Sequence, residues 1–198
     1  MISNNELIGL FFGSFNPIHS GHLIIANYLL QFSEIEKIWF VVSPQNPLKE
    51  KKSLLDEHHR MALVKEAIWD NPLFRACDIE LSLPRPSFTI HTLTHLQEKY
   101  PNKRFSLIMG ADNLQNLKKW KNYEQILQYF SLHVYPRPDY DGGEFRNHPS
   151  VTWFDAPLME ISSSFIRESI SNKKNMKYFL PERVRVYIEE MHFYESPL

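Results

Sequence analysis

The sequence predicts an α/β fold: a Rossmann-like, doubly wound, mainly parallel sheet with helices on both faces. Three observations predict it. Short apolar runs of strand length, such as Leu7–Phe12, Lys37–Val42 and Arg104–Met109, alternate with longer stretches of helical apolar spacing. The runs are apolar almost throughout, as strands are when both faces of a sheet are covered. Loops rich in Gly, Pro, Asn and Ser separate the two kinds of segment, with no repeat or low-complexity tract between them. The 198 residues suffice for one domain with a sizeable core, so 1–198 is read as a single domain. A helical portion from about 161 to 198 is expected to pack on that same domain.

Leu7–Phe12 is the first strand, closed by Gly13 and Pro17. A helix from Gly21 to Phe32 follows, with Leu23, Ala26 and Leu30 on its apolar face. Lys37–Val42 is the second strand. It runs into Ser43–Pro44–Gln45–Asn46–Pro47–Leu48–Lys49, at the sheet edge where open α/β sheets bind ligands. Asp56 caps a helix to about Asp70, with Arg60 in its early turns and Met61, Leu63, Val64, Ala67 and Ile68 facing the core. Phe74–Ile79 is the third strand, and a helix begins at Ser87 or Thr89. Arg104–Met109 is the fourth strand. Gly110 frees the turn after it, and Asp112 is placed to cap a short helix or to accept from a ribose hydroxyl. Tyr123–Tyr129 is a helix and Leu132–Tyr135 a strand. The segment 139–149 reads as a mobile loop, and Val151–Phe154 as the last strand. A helix opens in the serines at 162–164 and runs to about Ser171; the final helix starts with Pro181 at its first position and is assigned only packing.

Composition narrows the function classes. A formal net charge of −1 supplies no bulk field for gripping nucleic acid. A single cysteine, Cys77, permits no intramolecular disulfide and suits a reducing compartment. No stretch approaches the length of a membrane span. The expectation is a cytoplasmic enzyme with no nucleic-acid or membrane partner, and a homo-oligomer is left open.

The most informative stretch runs from Gly9 to His22. A buried strand leads into a Gly13–Ser14–Phe15–Asn16–Pro17 turn, then into His19 and His22 at the start of a helix. The first turn of a helix offers unpaired N–H groups and a partial positive charge, so an anion is stable there. Imidazoles beside it donate to phosphate oxygens, and gain charge when an anion raises their pKa. Taken alone, His-x-x-His is more often a strand–turn–helix corner carrying two surface histidines. A metal site is the other reading, although no Cys or third ligand cluster stands nearby. Ser163 and Arg167, one turn apart, form a second candidate anion site with a guanidinium suited to phosphate; a capped helix with a surface arginine fits the same residues. Lys49 is a further phosphate candidate. Trp120 serves either as core or as a flat face for an aromatic or pyridinium ring.

Gly13, Phe15, Pro17, His19, Gly21 and His22 together resemble the Gly-x-Phe-x-Pro-x-His-x-Gly-His signature of the nucleotidylyltransferase superfamily. That element is shared with class I aminoacyl-tRNA synthetases, pantetheine-phosphate adenylyltransferases and cytidylyltransferases. Four further stretches resemble the nicotinate-nucleotide adenylyltransferase family. They are the Ser-Pro-x-x-Pro loop ending in Lys49, Pro86–Ile90, Gly110–Asp112 through Trp120, and Ile161–Arg167.

The resemblance implies transfer of the adenylyl group of ATP to nicotinate mononucleotide, giving the dinucleotide and pyrophosphate by direct in-line attack. Mg2+ would arrive on the triphosphate, with few protein ligands and no dedicated metal site. It implies that His19 and His22 hold the α-phosphate, with Gly13, Ser14 and Phe15 forming the turn beside it. Ser163 and Arg167 would hold the departing phosphates and Lys49 would assist. Asp112 would contact a ribose or order the nucleotide loop. Thr89 would lie near the nicotinate carboxylate and Trp120 would stack on its ring. Three positions depart from the family pattern: Leu48 beside Lys49 where relatives often carry His, and Asn16 and His91 where Asp is common. The competing expectations are another small-molecule nucleotidyltransferase, such as a pantetheine-phosphate adenylyltransferase, and a non-catalytic adenine-nucleotide sensor.

Overall fold

The computed structural model describes residues 5–44 and 54–195. Six strands form one sheet: β1 (Glu6–Gly13), β2 (Lys37–Val42), β3 (Phe74–Cys77), β4 (Lys103–Gly110), β5 (Ser131–Tyr135) and β6 (Val151–Trp153). Their order is β3-β2-β1-β4-β5-β6 and every neighbouring pair is parallel. This is the doubly wound arrangement, in which strand order reverses direction between β1 and β4. Helices α1 (Ser20–Phe32), α2 (Glu57–Ala67), α3 (Thr89–Lys99), α4 (Ala111–Gln115), α5 (Tyr123–Tyr129), α6 (Ser163–Ser171) and α7 (Glu182–Glu190) complete it.

The continuous apolar runs are explained by two cores. Phe11, Ile38, Phe40 and Val42 pack with Ile25, Leu29, Leu63, Val64, Ile166 and Val184 on one face. Ile8, Leu10, Trp39 and Val41 pack with Leu93, Leu96, Leu114 and Ile126 on the other. Side chains alternate along a strand, so each run supplies both layers in turn. The α6–α7 portion lies on the first core and belongs to the same body as the sheet.

Four details depart from the sequence expectation. β3 ends at Cys77, because Leu81 N–H bonds back to Asp78 O and turns Ile79–Leu81 into a 3₁₀ turn. Pro181 is the residue before α7 rather than its first helical position. Gly110, not Asp112, stands at the N-cap of α4, and no side chain caps that helix. The segment 139–149 is a set of packed turns: Tyr140 bridges Arg137, Gly142 and Gly143 take positive φ into a 3₁₀ turn, and the Arg146 guanidinium lies 4.0 Å over the Trp153 ring. Lys49 lies outside the described residues. No described helix is long and apolar enough to cross a membrane.

Candidate active site

At the switch point, the C-terminal end of β1 is the common wall of two cavities. Phe11, Phe12, Gly13, Ser14 and Tyr135 line both. One cavity, about 320 Å³, is polar and takes in His19, His22, Arg137, Ser163 and Arg167. The other, about 310 Å³, is lined by Ser87, Phe88, Thr89, Lys119, Trp120 and Lys121, with Glu80 beneath.

The polar cavity begins with a strained turn. Phe15 has φ +46°, a left-handed conformation that is unfavourable for a bulky residue. Its ring is buried between Phe11, Phe40 and His22, at centroid distances of 6.1, 5.7 and 5.2 Å. A Cβ on Gly13 would stand 2.8 Å from that ring, so the position takes only glycine. Phe15 therefore offers the cavity backbone alone. The turn delivers His19 to the N-cap of α1, with His22 one turn on. Their rings lie 3.8 Å apart, tilted by 33°. His19 N–H donates to His22 Nδ1 at 3.3 Å, which puts the proton of a neutral His22 ring on Nε2. His19 Nδ1 is buried without a hydrogen-bond partner among the described residues. Burial, aided by the Arg137 charge, pushes the His19 pKa down to about 4. The ring is thus neutral near pH 7 until an anion enters. A Cβ at Gly21 would come within 3.1 Å of His19 Nδ1, so the glycine leaves room for that ring.

Ser162 caps α6 by accepting from Phe165 N–H at 3.1 Å. Ser163 and Arg167 do not simply point outward from that helix end. Ser163 Oγ donates to Pro17 O at 2.8 Å, and Arg167 Nη1 donates to Asn16 O at 2.8 Å. The second anion element is therefore docked on the turn that carries the first, and the structure brings His19, His22, Ser163 and Arg167 to one cavity. Thr89 and Trp120 both line the other, Trp120 half-buried. Asp112 lines neither; one carboxylate oxygen faces Arg137 Nε at 3.6 Å. A Cβ at Gly110 would strike Arg137 Cγ at 2.8 Å, so this pair needs the glycine.

Three contributors escaped the sequence reading. Arg60 is 1% exposed and donates to four backbone carbonyls: Ser14 and Ser43 at 2.7 Å, Leu55 and Pro44 at 2.9 Å. The signal was present, since Arg60 shares the buried stripe of α2 with Leu63, Val64 and Ala67. Arg137 stands two residues past β5, beside Gly110 at the end of β4, at the ligand edge of the sheet. Glu80 is 3% exposed and accepts from Thr92 Oγ1 at 2.7 Å and Ser87 Oγ at 3.4 Å, with burial raising its pKa. Nothing in the short stretch before Pro84 marks it.

Fold and site together define a nucleotidylyltransferase, and a cytidylyltransferase-like family model matches residues 10–169. A Flavobacterium psychrophilum protein named as a probable nicotinate-nucleotide adenylyltransferase is 52% identical over 191 residues, covering 96% of this chain and 99% of its own. A Bacteroides thetaiotaomicron protein of the same name is 44% identical over 188 residues, covering 95% and 93%. The chain belongs to the nicotinate-nucleotide adenylyltransferase family. Among solved structures, the Plasmodium falciparum nicotinic acid mononucleotide adenylyltransferase complexed with NaAD superposes with a TM-score of 0.80 at 20% identity, covering 96% of this chain and 97% of that one. At that identity the likeness speaks for the fold.

Proposed function

We propose that this protein transfers the adenylyl group of Mg-ATP to nicotinate mononucleotide, giving nicotinate adenine dinucleotide and pyrophosphate. The observation that carries the reading is the pair of cavities meeting at one wall. One is lined by His19, His22, Arg137, Ser163 and Arg167, groups suited to phosphate, and the other by Phe88 and Trp120. A two-substrate transfer needs both, joined where the new bond forms.

A 5′-phosphate oxygen of the mononucleotide attacks the α-phosphorus in line, the bond to the β-phosphate breaks, and pyrophosphate leaves. The attacking phosphate is already ionised, so no protein nucleophile and no strong base is required. Positioning and charge stabilisation then account for the rate. His19 and His22 serve the α-phosphate. Its arrival raises the His19 pKa, so positive charge appears there only with substrate bound. Ser163 and Arg167 serve the departing phosphates, with Lys49 assisting; Arg137, near His19, adds to the local positive potential. Trp120 stacks on the pyridine ring, and Thr89 lies near its carboxylate. Mg2+ enters as part of the ATP substrate; among the described residues no group of three His, Cys, Asp or Glu side chains stands ready for a separate metal.

The test is pyrophosphate release from Mg-ATP with nicotinate mononucleotide, nicotinamide mononucleotide and phosphopantetheine offered separately. Strong preference for the first is expected. Release only with phosphopantetheine would overturn the acceptor assignment, and nucleotide binding without release under any of the three would leave a sensor.

A further inference from the structure

The C-terminal turn after α7 reaches the phosphate site. Tyr194 Oη donates to Asn16 Oδ1 at 2.9 Å, across 178 residues of sequence. Asn16 is 5% exposed, and the same oxygen accepts from Leu55 N–H at 3.2 Å. Its own carbonyl accepts from Arg167 Nη1. Asn16 is thus the residue through which the C-terminus, the start of α2 and the α6 guanidinium all bear on the turn between Gly13 and His19.

Packing alone does not account for how Tyr194 arrives there. His192 and Tyr194 both take left-handed backbone conformations, φ +53° and +65°. Such conformations are unfavourable for residues other than glycine and persist where the surroundings enforce them. Phe193, between them, packs its ring against His59 at 4.8 Å and Tyr187 at 6.0 Å. That anchor sits on α2 one residue before Arg60, whose guanidinium holds the Ser14 carbonyl from behind. Two distant segments therefore grip the same turn, Arg60 at Ser14 and Tyr194 at Asn16.

We propose that Tyr194 is a positioning residue for adenylyl transfer, acting through Asn16 to fix the turn that carries His19 and anchors Arg167. It lines neither cavity. The inference rests on the adenylyl-transfer reading above. It extends that reading to the C-terminal segment, which the sequence pattern assigned only to packing.

Tyr194→Phe removes one oxygen and keeps the ring. In the pyrophosphate-release assay, run well below the melting midpoint, kcat is expected to fall about fivefold, the scale of one lost hydrogen bond. KM for nicotinate mononucleotide should stay within about twofold, because the aromatic cavity does not involve Asn16. The melting midpoint should fall by no more than about 4 °C. A kcat within about twofold of the parent overturns the inference, whatever the stability. Should the variant fail to fold, Asn16→Leu decides: leucine offers Tyr194 no acceptor, so kcat should fall by at least about fivefold, and a parent rate would refute the role. A parent protein that releases no pyrophosphate with this acceptor would instead overturn the adenylyl-transfer reading itself.

Discussion

On the α1 side of the β1 end, the cavity is built from charge-bearing groups tied to backbone carbonyls. Arg167 and Ser163 rest on Asn16 and Pro17, and Arg60 reaches Ser14, Ser43, Pro44 and Leu55. On the α3 side, the cavity is built from ring faces, with Trp120 and Phe88 in the wall and the Lys121 ammonium 4.5 Å over the Phe88 ring. On the proposed reading, the first arrangement would hold a charge that changes during the reaction, which calls for geometry fixed by directional hydrogen bonds. The second would hold a ring that does not react, for which flat apolar contact suffices. Substitutions on the first side should therefore appear in kcat, and those on the second in KM for the mononucleotide.

His22→Ala gives the sharpest break. On the proposed reading it removes a donor at the transferring phosphate, so kcat should fall by about 10²- to 10³-fold; the ring also packs on Phe11 and Phe15, so the melting temperature should fall as well. Pyrophosphate release under saturating substrates measures it. A rate unchanged by this substitution would remove His22 from the transfer step. Trp120→Ala comes next. Loss of the stacking face should raise KM for nicotinate mononucleotide by about tenfold, with a smaller change in kcat. An effect confined to kcat would erase the distinction between the two cavities.

The sequence exposed these cavities unequally. His19, His22, Ser163 and Arg167 fall at helix starts, where the chemistry of a free N-terminus is written in the order of residue types. That the sheet is parallel and covered on both faces followed from strand runs that are apolar almost throughout, but the order of its strands did not. Sequence spacing gave no account of what Ser163 and Arg167 bond to, because Asn16 and Pro17 lie 146 residues or more away. Asp112 illustrates the limit from the other direction. Its type and position suit an N-cap, but Arg137 from the neighbouring strand end competes for its carboxylate. Arg60 was the readable residue left unread, since an arginine on a buried helical stripe must carry its hydrogen-bond partners with it.

A remaining expected effect concerns protons and separates the two sides by ligand rather than by mutation. His19 has a native pKa of about 4 against an ordinary 6.5, so between these values the unfolded chain binds the extra proton. Stability from this ring is fully present above pH 6.5 and is lost as pH falls through that window. The loss approaches about 3 kcal/mol at its lower end. His133, also pushed down by burial, adds in the same direction from β5, away from either cavity. Denaturant midpoints at pH 7 and pH 5 should therefore differ less in His19→Gln than in the parent. Pyrophosphate, placed in the polar cavity, raises the native His19 pKa and should shrink the parent's acid loss. A pyridine carboxylate, taken by the aromatic cavity, should leave it as it was. If both ligands protect equally against acid, the two cavities do not differ in the way their linings suggest.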